Sequence, residues 1–208
     1  NAITTGSRNT AVGGLTLDVL TTENDNTAIG YAALSSEVSG FRNTAVGSVA
    51  GATQNGGTNN ALFGYNAGAN ITTGDANTFI GSDSGDATTT ASNNTAVGQA
   101  ALGSNTTGAN NVALGKGALT SNTTADSNHA IGNGALETNT TGTANVAVGQ
   151  SALNGNTTAS NNTAVGHIAL AANTTGYDNT AVGALALDSN TTGSLNTAFG
   201  KSALQANT

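Results

Sequence analysis

One phrase returns along this chain with a single fixed step. A glycine stands at Gly13, Gly30, Gly47, Gly64, Gly81, Gly98, Gly115, Gly132, Gly149, Gly166, Gly183 and Gly200, each 17 residues after the last. An asparagine keeps the same step from Asn9 and Asn26 through Asn94, Asn111, Asn128, Asn145, Asn162 and Asn179 to Asn196. Twelve copies occur with no insertion or deletion. A period this short and strict restricts the chain to a solenoid, in which each repeat buries its apolar side only by stacking on its neighbours. The repeats use 204 of the 208 residues, so residues 1–208 read as a single repeat domain. The chain starts and stops within its own period, as a segment of a longer protein would.

With the asparagine as position zero, each position has its own character. Position three is apolar in all twelve copies, from Val12 to Phe199, and is expected to be the central core stripe. Position two is Ala except at Leu62 and Phe79; position seven is Ala except at Thr16 and Ser84. Position eight is Leu in nine copies and Gly51, Gly68 and Gly85 in the others. From position eleven many copies read Asn-Thr-Thr-Gly, as in Asn105 to Gly108 and Asn173 to Gly176, which predicts a turn using left-handed backbone angles. The recurrent Gly, Asn, Thr and β-branched residues disfavour helix. Each coil is therefore expected to hold two short strands, near positions one to four and six to nine, in an all-β parallel solenoid.

Side chains alternate faces along a strand, so Ala164 and Val165 should point to opposite sides, as should Ala169 and Leu170. A strand apolar on consecutive residues is covered on both faces. One face is the coil interior; the other needs a cover, and a further copy of the same rod supplies it. Whether the leucines line the coil interior or an axis between chains stays open at this point. Stacked coils place identical residues about 4.8 Å apart, so the invariant asparagines are expected to form a hydrogen-bonded ladder. Twelve coils make a rod on the order of 58 Å long.

Composition removes several functions. Charged residues are 7% and aromatics 3%, so small residues have to pack backbone against backbone. There is no Cys, which excludes disulfides and thiolate metal sites. A net charge of -7 with only four Lys and Arg argues against nucleic acid as a partner. No apolar run approaches membrane-spanning length, so no membrane contact is expected of this segment. Catalysis requires convergent titratable groups, and His129 at position one and His167 at position five lie more than two coils apart. Neither a phosphate-binding glycine loop nor a calcium-binding nonapeptide is present, so no enzyme activity, cofactor or metal is expected.

Phrases such as Asn94-Thr-Ala-Val-Gly98-Gln-Ala-Ala-Leu102 and Asn162-Thr-Ala-Val-Gly166 resemble the head repeats of trimeric autotransporter adhesins of the YadA-like type. They are also similar to repeat regions of phage tail-fibre and related bacterial fibre proteins. The resemblance extends over the whole chain. It implies a left-handed parallel β-roll, three chains per fibre, an extracellular place on a cell surface or virion tail fibre, and a role in attachment to a glycan or protein receptor. The 17-residue period is longer than that of the adhesin heads, the Asn-Thr-Thr-Gly turn supplying the difference.

At positions two and eight the pattern is disturbed only in coils three to five, from Asn43 to Ser92. There the leucines give way to glycine, Leu62 and Phe79 enter the Ala column, and Tyr65, Asn66, Asp75, Asp83 and Asp86 appear on stacked coils. Compensated repacking accounts for the apolar exchange. The polar residues form a candidate glycan or cation site, with Tyr65 stacking on a sugar face and the carboxylates accepting hydroxyl hydrogen bonds or holding a hard cation. The alternative function is an ice-binding solenoid, prompted by the threonines of position one and of the turn.

Overall fold

A computed structural model describes residues 5–207. Twelve three-residue strands, one per repeat at positions one to three, run from Thr10–Val12 to Thr197–Phe199 and join in sequence order into one parallel sheet. The register is like on like. Thr163 stands opposite Thr180 on one side and Val146 on the other, and Ala164 lies between Ala181 and Ala147. The chain is thus an all-β parallel solenoid, with no helix among the described residues.

The second strand expected at positions six to nine does not form. That segment instead carries left-handed residues at positions six and eight, as at Ala100 (φ 54°) and Leu102 (φ 57°). Its hydrogen bonds still run between coils, but in alternate directions. The Ala100 N–H donates to the Ser82 carbonyl of the coil before (3.0 Å), and the Leu102 N–H to the Ala118 carbonyl of the coil after (2.9 Å). Backbone polar groups are satisfied without extended geometry.

This local conformation changes which side chains face inward. Left-handed residues on either side of Ala101 abolish the strand alternation, so Ala101 and Leu102 are both fully buried. The same holds for Ala169 and Leu170. The leucines of position eight therefore line the interior of each coil, together with the alanines of positions two and seven. Position three, expected to be the core stripe, lies outside: Val165 is 36% exposed, Phe63 38% and Ile131 41%. The narrow interior takes Ala from the strand and Leu from the opposite side, and the β-branched residue between them in the pattern turns outward.

The Asn-Thr-Thr-Gly turn also differs from expectation. Its residues keep ordinary backbone angles; the left-handed corner comes later, at position sixteen, as at Asn93, Asn110 and Asn161. The asparagine that opens the turn is buried.

The glycine of position four is fixed by both conformation and contact. Gly149 has φ 139°, and a Cβ there would run into the carbonyl of Gly166 in the next coil. Gly149→Ala should therefore unfold the coils around it, with a loss well beyond the roughly 1 kcal/mol of a helical Ala–Gly exchange, read as a fall in denaturant midpoint. An unchanged midpoint would contradict the backbone stacking described here.

Candidate functional site

The invariant asparagines form a continuous interior ladder. In Asn162 the Oδ1 accepts the backbone N–H of Asn179 (3.0 Å), and the Nδ2 donates to the Gly176 carbonyl (2.9 Å). One carboxamide thus closes its own coil and ties it to the next. Asn94, Asn111, Asn128 and Asn145 repeat this arrangement, and Asn179 donates in the same way to Gly193. All of these are buried.

A second ladder was not foreseen from the sequence, although its residues were in view as turn residues. Asn122 Nδ2 donates to Asn105 Oδ1 (2.9 Å) and to the Ala125 carbonyl (3.0 Å), and the column continues through Asn139, Asn156 and Asn173 to Asn190. The two ladders meet at position fourteen, where the Gly108 carbonyl accepts from both Asn94 and Asn105. The recurrence of Asn at position eleven with the same 17-residue step was the available signal.

Toward the N-terminus the second column changes to Glu37, Gln54, Ile71 and Thr88, all buried. The Glu37 carboxylate accepts from the backbone N–H groups of Ser39 (3.2 Å), Gly40 (2.5 Å) and Gly56 (2.9 Å) and from Gln54 Nε2 (2.9 Å). Thr88 Oγ1 is the buried side-chain polar atom left without a partner among the described residues. It lies in the interior column, away from any surface a ligand could reach.

Coils three to five carry the exchange expected from the sequence. A Cβ at Gly68 would lie 2.8 Å from both Ile71 Cδ1 and Leu62 Cδ2 and 3.1 Å from Phe79 Cδ2. At Gly85 it would strike the Phe79 ring, and at Gly51 it would meet Leu62 and Leu34 at 2.8 and 2.9 Å. The volume lost from position eight is filled by Leu62, Ile71 and Phe79, all fully buried.

The five polar residues singled out do not converge on one point. Tyr65 is 58% exposed at the corner after the strand. Beside it Asn66 Nδ2 donates to Asp83 Oδ1 (3.1 Å), and Ser82 Oγ donates to Asp83 Oδ2 (2.8 Å). Asp86, in the same coil as Asp83, is half-buried, and desolvation, with the Asp83 carboxylate adding to it, raises its carboxyl above the ordinary value. Asp75 belongs to another column at position fifteen. Its Oδ1 accepts the N–H (2.7 Å) and hydroxyl (2.9 Å) of Thr58, an intercoil cap repeated where the Ala109 N–H meets Asp126 and the Thr143 N–H meets Ser160. No group of three His, Asp or Glu placed to hold a metal occurs among the described residues. His129 and His167 are both exposed, in different columns.

None of the protein-family models, curated proteins or solved structures compared with the chain matches it.

Two outcomes follow from this geometry. Phe79→Ala alone should cost about 3–5 kcal/mol, and Gly85→Leu alone should also destabilise, because the new side chain meets the ring. Combined, they convert coil five to the Ala96 and Leu102 arrangement of coil six, so the pair should recover most of the loss, with a favourable coupling above about 1 kcal/mol in a denaturation cycle. Additive losses would disprove the exchange. For Asp86, a raised carboxyl pKa means that the folded chain holds its proton more tightly than the unfolded chain. Stability from this group is gained as pH falls through the folded value and lost as pH rises through it. Asp86→Asn should melt above the parent at pH 7, and the difference should close as the pH is lowered; a gap independent of pH would count against burial as the cause.

Proposed function

We propose that the chain is a non-catalytic segment of an attachment fibre, exposed on a cell surface or a virion tail, in which three copies associate side by side. The observation that carries this reading is the outward face of the sheet. Positions one and three present Thr, Val, Ile, Leu, Ala and Phe along a rod on the order of 58 Å long. His129 is the one titratable residue in either column, and neither column contains Asp, Glu, Lys or Arg. Half-exposed branched side chains in an unbroken, uncharged strip call for a cover. A second and third copy in the same orientation supply it with matching spacing, since every coil repeats the same face. The left-handed sense of the coil and a receptor of glycan or protein nature belong to the same proposal. Its support outside the geometry is the resemblance of the repeat phrases to adhesin heads and tail fibres.

A second reading is favoured by the same face. Thr and a branched apolar residue stand at positions one and three of one outward surface, eight of the twelve position-one residues being Thr. In-register coils repeat that pair at about 4.8 Å, an arrangement suited to ordering water and so to ice binding.

The two readings separate in solution. For the fibre, light scattering should give three times the 20.0 kDa chain mass. Val97→Asp with Val148→Asp, both on the outer face, should return single chains that keep their β circular dichroism. Leu119→Asp, placing a charge in the coil interior, should unfold the chain instead. A wild-type mass of one chain, accompanied by thermal hysteresis that the outer-face variants abolish, would replace the fibre reading with the ice-binding one.

A further inference from the structure

Position five, immediately past the glycine corner, reads Gly14, Tyr31, Ser48, Tyr65 and Ser82 in the first five coils. The two tyrosines are 60% and 58% exposed. They occupy the same place in coils whose backbones stack in register, as the Val49 N–H bonded to the Tyr31 carbonyl (2.8 Å) and the Asp83 N–H bonded to the Tyr65 carbonyl (3.0 Å) show. Small residues separate and flank them. A Cβ added to Gly14 would lie 3.7 Å from Tyr31 Cδ2, so this ring leans across the neighbouring coil where no side chain stands. The Tyr31 ring therefore has room to lie along the rod with one face toward solvent, and Tyr65, with Ser48 at the same position of the coil before, is exposed to the same degree.

Two coils separate the rings, a step of about 9.6 Å along the axis. That step is close to, and slightly shorter than, the disaccharide repeat of an extended β-1,4-linked glycan, in which every second sugar turns the same face to one side. Aromatic faces take up the C–H-rich faces of such sugars, and a few placed polar groups set the orientation. Ser48 stands between the rings, and the hydrogen-bonded pair of Asn66 and Asp83 lies beside the second. We infer that Tyr31 and Tyr65 form a two-ring platform for an extended β-1,4-linked polysaccharide lying parallel to the rod. Tyr31 and Tyr65 follow the corner glycines Gly30 and Gly64, which separate them from the outward strip assigned to chain association. The inference deepens the attachment proposal, and its biological meaning rests on it.

The test is calorimetric or NMR titration with cellohexaose and chitohexaose, using the α-1,4-linked maltohexaose as the control of different pitch. Saturable binding of one or both β-1,4-linked oligomers, with weaker binding of maltohexaose, is expected; the better of the two identifies the sugar. Tyr31→Ala and Tyr65→Ala should each weaken binding roughly tenfold, the equivalent of one lost stacking contact. Tyr65→Ser combined with Ser82→Tyr keeps two aromatic rings but sets them three coils apart, and should weaken binding as much as Tyr65→Ala. Absence of saturation by both β-1,4-linked oligomers, unchanged affinity in the alanine variants, or full affinity in the shifted variant would overturn the platform. Light scattering on the same samples separates the two claims: glycan binding by single chains would refute the fibre alone, and three-chain assemblies without binding would refute the platform alone.

Discussion

The buried carboxamide of position zero is the interaction on which the rest of the structure depends. The Asn162 side chain spans 14 residues of its own coil to reach the Gly176 carbonyl and 17 residues to receive the Asn179 N–H. Those two spans fix the size of the coil and its offset to the next. A hydrogen bond of this kind contributes only about 1 kcal/mol net, but a buried donor or acceptor left without it costs roughly 1–3 kcal/mol. An inserted residue would move a carboxamide away from both partners, and every coil beyond would inherit the shift. The absence of any insertion in twelve repeats follows from that intolerance.

Much of this was legible in the sequence because identical residues stack on identical residues. The period, the parallel register and the hydrogen-bonded ladder of Asn94 to Asn179 follow from recurrence alone. What could not be read was the conformation between Gly98 and Asn105. Strand alternation is a sound rule only for extended backbone, and the left-handed residues Ala100 and Leu102 break it. Consecutive Ala and Leu therefore signified one interior rather than two covered faces. The same blind spot misplaced the apolar residue of position three: its constancy suggested the core, yet Val165 turns out while the smaller Ala164 turns in. Of the candidate site, the apolar exchange around Gly68 and Gly85 was readable as conserved volume. The fate of Asp75 was not, because its intercoil cap depends on a backbone N–H that no pattern of side chains reveals.

The left-handed leucines also explain why glycine is the residue that replaces them. A non-glycine residue in this region costs roughly 1–2 kcal/mol, which a fully buried leucine offsets by about 1.5–3 kcal/mol of apolar transfer. Where Leu62, Ile71 and Phe79 already fill the interior, a side chain at position eight loses its gain and keeps its cost. Gly51, Gly68 and Gly85 retain the same left-handed angles, φ 56–59°, without either the strain or the collision. The disturbance in coils three to five is thus one event, a transfer of volume across the interior, and it leaves the backbone course unchanged.

That separation between interior and exterior bears on how such a rod acquires function. Positions zero, two, four, seven, eight and eleven are held by stacking, and a change at any of them is transmitted to neighbouring coils. Position five is not so held: it carries Tyr31, Ser48, Tyr65, Gln99, Lys116, Asn133 and His167 on one backbone geometry. Substitution there alters a surface at fixed axial steps while the scaffold stays rigid. Under the proposed attachment function, recognition is set by which coils carry a ring or a polar group and how many coils lie between them, and a ligand with its own axial repeat is the kind that such a surface distinguishes best.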